Sequence, residues 1–287
     1  MNRERNPQAE QMADESMVRN LAAQAECIWP QEQAFLARYQ LKSEARIVDV
    51  GCGTGEITAR LAALYPRATV LGVDLLDLLV NYARRRHAAL APRLRFEQGD
   101  AFELRLPDAH FDLVVCRHMT QLVPEPEKVL SELTRICAPG GWLHVLSEDY
   151  GMLHMEQGAL DPDRLWRDGC IAYLRSIHTD GRIGRRTYAL LKALGLEDLR
   201  VDYVTVDTLR VPRETFASIV DAWRDGYSEV ISEHTTLTVA ELRALFEQVS
   251  ASIRDPDHYG VWQVPIVSGR KAPSPRPSPA SGRGSGR

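Results

Sequence analysis

Gly51, Gly53 and Gly55, spaced by two, follow the β-branched run 45–50 and precede apolar residues at helical spacing, Ile57, Leu61 and Leu64. A strand that turns on glycines into a helix lets a ligand lie on its backbone, because positive φ is accessible there and no Cβ holds the ligand away. A second apolar run, 69–73, ends at Asp74. A carboxylate in that position can accept hydrogen bonds from both hydroxyls of a ribose. Loop and acid together describe a nucleoside site and therefore point to an enzyme. A dinucleotide loop needs a small residue at the last position of G-x-G-x-x-G, where helix and strand close on a pyrophosphate. Counting from Gly51 that position is Glu56, and from Gly53 it is Thr58. A glutamate at the helix start also repels a pyrophosphate, so the nucleoside expected here carries no phosphate.

Three further features follow in order: Gly99-Asp100-Ala101, Arg117 just past a fourth apolar strand, and Pro139-Gly140-Gly141. With the D-x-G-x-G-x-G loop from Asp49 and the acid at Asp74, this series resembles the class I S-adenosylmethionine-dependent methyltransferases over about residues 45 to 150. The resemblance implies S-adenosyl-L-methionine as cofactor. It implies that Asp49, Gly51 and Gly53 wrap the methionine part, with Cys52 a small side chain between them. It further implies Asp74 on the ribose, Leu75 on the adenine, Asp100 at the exocyclic amine, the Ala101 amide at the ring edge, and the Arg117 main chain near the methionine end. An NAD-type oxidoreductase stays as an alternative, opposed by Glu56 and Thr58, as does a non-catalytic cofactor-binding accessory protein.

Methyl transfer asks little of side chains. The sulfonium methyl is already electrophilic, so the protein has chiefly to align an acceptor lone pair behind it and exclude water. Only an acceptor with a dissociable proton needs a base, and His118, Asp149 and Tyr150 at strand ends are the candidates. Arg185 and Arg186 could receive an acidic substrate. The sequence has no asparagine-proline pair at 117–120, which argues against transfer to the amines of nucleic-acid bases.

The elements needed to position these residues alternate. Strands are expected near 45–50, 69–73, 94–96, 111–116 and 142–146, with helices at 76–91 and from Pro124 to Cys137. Such alternation implies a Rossmann-like α/β fold, a seven-stranded mostly parallel sheet with helices on both faces and ligands beyond the carboxyl ends of the strands. Ahead of it two helices are expected, around Val18 to Ile28 and Gln31 to Tyr39. Beyond residue 150 come helices at 163–177 and 184–194, a strand at 199–207, two helices at 216–230 and 240–253, and a last strand at 261–267. Pro265 within that strand predicts a bulge or an early end to pairing. The resulting division is leading helices at 1–44, a cofactor-binding core at 45–211 and 255–270, a helical substrate cap at 212–254 and a disordered tail at 271–287.

Composition agrees. At 287 residues and 44% hydrophobic, the chain can bury one full α/β core with a cap. Five scattered cysteines without a C-x-x-C pair, and histidines without ligand spacing, suggest a reducing compartment and no metal. No leader or membrane span is expected, so the assignment is cytoplasmic. Residues 1 to 268 hold 30 basic and 39 acidic side chains, which suits a small-molecule acceptor and disfavours nucleic acid. The Pro-Ser-Arg-Gly tail is low in complexity and cannot bury apolar surface.

Overall fold

The computed structural model describes residues 4–273. Eight strands form one sheet: β1 (Arg46–Val50), β2 (Thr69–Asp74), β3 (Leu94–Gln98), β4 (Phe111–Arg117), β5 (Cys137–Leu146), β6 (Leu153–His154), β7 (Glu197–Asp207) and β8 (Val261–Arg270). The order runs β3-β2-β1-β4-β5-β8-β7, parallel through β5 and antiparallel at β8 on both edges. The strand beyond the expected seven is β6, two residues that pair with Trp262 and Val261 of β8. Two residues are too few to leave a period-2 signal.

Buried residues alternate between the two faces of the parallel strands. Val48 and Val50 of β1 join one apolar cluster with helix α5 (Pro126–Ile136), while Ile47 joins another with α3 (Glu56–Leu64) and α4 (Asp77–Arg86). A third cluster lies between β7, β8 and the helical hairpin α8 (Arg213–His234) and α9 (Val239–Arg254). Thr238 and Glu241 form a capping box at the start of α9, satisfying amides that the helix itself leaves free.

One expectation is corrected. After a single turn, α1 (Ala9–Met12), the leading segment is one 22-residue helix, α2 (Glu15–Leu36), which continues through Pro30. The proline removes one rung of the helix, but Ile28, Trp29 and Leu36 pack on both sides of it, and tertiary packing decides over local preference. At Pro265, where a bulge or an early end to pairing is expected, β8 takes the second course: Tyr203 of β7 faces the proline with the register kept from Arg200 to Asp207, while pairing ends on the other edge. The Pro265 carbonyl accepts from Ser147 on the β5 side, so its nitrogen also faces that side, where the β5 ladder ends at Leu146. Pairing therefore stops early on one edge only.

The helix α5 ends at Ile136, before Pro139-Gly140-Gly141, which lies within β5 where the register to β4 shifts, with Gly140 at φ +79; the Lys271 ammonium donates to the Thr134 and Cys137 carbonyls at the helix end. The region 163–177 holds a π-helical stretch Leu165–Cys170 followed by α6 (Ile171–Ser176), and α7 (Gly184–Ala193) comes next. No helix among the described residues is long and apolar enough to cross a membrane. The tail expected to be disordered lies, from 274 onward, outside the described residues.

Candidate active site

A crevice opens beyond the carboxyl ends of β1, β2, β3 and β4, where the strand order reverses between β1 and β4. Ligands to open α/β sheets bind at such a reversal, because neighbouring connections leave on opposite faces and part the loops. Counting its open mouth, the crevice encloses about 1700 Å³. Asp49, Gly51, Cys52, Gly53, Asp74, Leu75, Asp100, Ala101, Arg117, His118 and Tyr150 all line it. Asp149 does not belong to the lining.

The glycine loop leaves β1 with Gly51, Gly53 and Gly55 all at positive φ, the last as N-cap of α3. A Cβ on Gly51 would stand 3.1 Å from the Met119 sulfur, and one on Gly53 2.8 Å from Leu21 Cδ1. The loop is thus cradled between strand ends and α2, with no room for side chains. Asp74 holds it shut from the other side. One carboxylate oxygen accepts from the Gly53 amide at 2.8 Å, the other from the Leu76 amide at 3.0 Å. Asp74 thus clamps the turn.

Asp49, at the carboxyl end of β1, is buried and accepts from the Thr58 hydroxyl at 2.7 Å. Burial pushes its carboxyl up to about 6, against that hydrogen bond and the Arg117 charge. Burial likewise raises Asp74, and the amides of Leu76 and Gly53 oppose the rise. The Cys52 thiol is pushed well up by burial and by Asp74, which keeps it a neutral wall atom. Asp100 accepts from the Phe102 amide and lies 3.6 Å from the Arg5 guanidinium, so the leading segment reaches over this end of the crevice. Arg5, Gln8, Met17, Asn20, Leu21 and Gln24 all line it. The leading helices therefore roof the site as well as covering the sheet.

Beneath the crevice runs a buried polar chain that sequence reasoning missed. The Arg117 side chain turns away to donate to Glu32 at 2.8 Å; His144 lies 3.0 Å from the same oxygen, and the Tyr39 hydroxyl 2.6 Å from the other His144 nitrogen. Burial alone would raise Glu32, but the Arg117 charge and the His144 contact outweigh it and hold the carboxyl at about 2. The signal was an acid in the apolar stripe Ile28, Glu32, Leu36 of α2, at spacing four.

The candidate bases separate. Asp149 is fully buried and bound at both oxygens by Arg185, at 2.6 and 2.8 Å, while one oxygen also accepts from Gly151. It ties α7 to the end of β5. Arg185 is thereby engaged, and Arg186 pairs with Asp180 and Glu127, so neither reaches the crevice. His118 contacts Glu148 at 2.6 Å, with side chains 10% and 2% exposed. The Tyr150 ring meets Trp223 edge-on at 6.1 Å, and burial raises its hydroxyl well above the usual range. Glu148, Trp223 from α8 and Phe246 from α9 also line the crevice; only the folded chain joins them to it.

Buried polar side-chain atoms are ordinarily hydrogen-bonded. Among the described residues thirteen such atoms lack a partner, and seven belong to this crevice, on Asn6, Gln8, Asn20, Arg117, His118, Gln121 and Glu148. Unsatisfied donors and acceptors gathered along one glycine-floored crevice fit polar groups of ligands bound there.

Comparison with known proteins agrees. The family described as "Methyltransferase domain" matches residues 47–141. Trans-aconitate 2-methyltransferase of Methylobacterium nodulans is 40% identical over 115 residues, 40% of this chain and 43% of that protein. Demethylmenaquinone methyltransferase of Deinococcus radiodurans is 35% identical over 114 residues, 40% and 47% of the two chains. The chain thus spans less than half the length of these relatives. In fold, it is similar to Haemonchus contortus phosphoethanolamine N-methyltransferase 2, solved with S-adenosylhomocysteine, at TM-score 0.56, 20% identity, and 85% and 53% coverage. Residues 47–141 thus match the methyltransferase-domain family, and the fold that carries them is similar to that of a solved methyltransferase.

Proposed function

We propose that this protein transfers the methyl group of S-adenosyl-L-methionine to a small-molecule acceptor by in-line displacement. The observation that carries this reading is the Gly51-Cys52-Gly53 turn clamped by Asp74, in a crevice along which seven buried polar atoms lack a partner among the described residues. In it Asp49, Gly51, Cys52 and Gly53 hold the methionine part, Asp74 the ribose, and Leu75, Asp100 and Ala101 the adenine. The Arg117 main chain borders the sulfur. The bound cofactor supplies the electrophilic methyl; the protein orients it, roofs it with α2 and excludes water.

Support for a small acceptor comes from the roofed, aromatic far end of the crevice and from relatives named for trans-aconitate and demethylmenaquinone. Support against a dinucleotide comes from Glu56, which lines the crevice at the start of α3 where a pyrophosphate would sit. Calorimetry with S-adenosylmethionine and NADH tests the reading: binding of the first alone is expected, and binding of NADH alone would overturn it. Gly53→Val should abolish cofactor binding with the fold retained, because a branched side chain at φ +52 meets Leu21. Unaltered affinity in that variant would remove the loop from the site.

A further inference from the structure

The two ends of the crevice differ in kind, and the far end speaks to the acceptor. Its walls are Tyr150, Tyr173, Leu174, Trp223, Tyr227 and Phe246. Their rings interlock with Trp166, which lies 6.4 Å from Tyr150 and 6.1 Å from Trp223. Neither of the two arginines on the lining is among these walls: Arg5 pairs with Asp100, and Arg117 donates through Nε to Glu32, with its Nη2 left unpartnered among the described residues. A carboxylate or phosphate acceptor would therefore meet aromatic faces and Glu148, with no cation to receive it.

His118 and Glu148 are the polar exception in this cup. Their contact is 2.6 Å through His118 Nδ1, while His118 Nε2 and Glu148 Oε2, both buried, have no partner among the described residues. With Nδ1 engaged by Glu148, Nε2 is the ring nitrogen left to meet a ligand. The residue is also held at φ +49, left-handed for a residue with a Cβ, by the bond from its amide to the Leu146 carbonyl. Such strain gathers at functional positions.

Resting on the methyltransferase reading above, we propose that the acceptor is an uncharged, largely apolar aromatic molecule bearing one acidic hydroxyl, a phenol or enol, and that His118 takes its proton. The O–H bond breaks toward His118 Nε2 as the oxygen attacks the methyl carbon. An O–C bond forms and the C–S bond breaks. Its electron pair stays on sulfur, leaving neutral S-adenosylhomocysteine, and the proton ends on an imidazolium faced by the Glu148 carboxylate. A base waiting at the acceptor suits a hydroxyl in particular: a carboxylate arrives already deprotonated, and a neutral amine attacks with its own lone pair. His118 is the catalytic residue and Glu148 its positioning residue.

The test uses the full chain and three matched probes, 4-propylphenol, 4-propylbenzoate and 4-propylbenzylamine. Cofactor binding is measured first by calorimetry, and its absence would overturn the methyltransferase reading together with this one. With cofactor bound, the phenol should quench tryptophan fluorescence and yield the methyl ether, ahead of the acid and the amine, as read by mass spectrometry. His118→Gln should lower ether formation about 100-fold, the weight of one general base, while leaving cofactor affinity unchanged. Glu148→Gln should lower kcat more than it raises KM, and Glu148→Asp should recover part of the loss. Failure of the phenol to bind or react, preference for the acid or amine, or full activity in His118→Gln would overturn the proposal while the cofactor reading stands.

Discussion

The glycine-loop end of the crevice is built from residues at the ends of consecutive strands, whereas the aromatic end draws on residues spread over more than a hundred positions, from His118 to Phe246. At the first, the loop Gly51 to Gly55 and Asp74 meet through main-chain amides, so the shape is fixed by backbone conformation and one carboxylate clamp. At the second, His118, Tyr150, Trp223 and Phe246 come from a strand end, a short turn, α8 and α9; Tyr150 meets Trp223 directly, while Trp262 and Trp166 join His118 and Phe246 to them. A backbone-built site is defined by which residues are glycine. A packing-built site can change its residues and its ligand together, which suits one domain to many acceptors.

That contrast can be broken in graded steps. The largest effect is expected where the two ends share a foundation. Glu32→Gln leaves Arg117 without its buried partner and should cost about 3–5 kcal/mol of stability, read as a lower melting temperature with both ends weakened. The pH dependence supplies a signature. The Glu32 carboxyl is held at about 2 in the fold against an ordinary 4.5, so the folded state binds its proton less readily than the unfolded state. Its contribution is present above pH 4.5 and is lost as pH falls toward 2, and that acid-labile component should vanish in Glu32→Gln. A variant as stable as the parent across this range would show that the ion pair joins nothing.

An intermediate effect belongs to the cofactor end alone. Asp74→Ala removes an acceptor for the ribose and the clamp on the Gly53 amide at once, and should weaken S-adenosylmethionine by about 1–3 kcal/mol. Calorimetry giving an unchanged affinity would take Asp74 out of the site; a large loss of melting temperature would show the clamp matters more than the ribose. The smallest effect belongs to the acceptor end. Phe246→Leu trims a buried ring in the third cluster and should cost about 1 kcal/mol of stability, raising KM for the acceptor and leaving cofactor affinity as it was. A matching loss of cofactor affinity would dissolve the distinction between the ends.

The two ends also differed in how far they could be read beforehand. Gly51, Gly53 and Asp74 announce themselves because glycine spacing and strand ends are local properties, whereas Asp49, Asp100 and Ala101 were added by the family resemblance. Glu148 stands beside Asp149 in the sequence, and nothing local says which of the two faces a ligand. The fold decides it by giving Asp149 to Arg185, a residue 36 positions away, and Glu148 to His118. Similarly, a break was expected in the leading helices and one continuous helix was found, because packing on both sides of Pro30 outweighs the single lost hydrogen bond.

What the sequence by itself determined is the parallel α/β core and its cofactor loop, since both rest on short-range periodicity and on backbone freedom that only glycine gives. Tertiary structure alone decided which acid partners His118, which helices roof the crevice and which rings meet at its far end. Those are contacts between residues far apart in the chain, and side-chain burial and pairing there are set by the packing of whole elements.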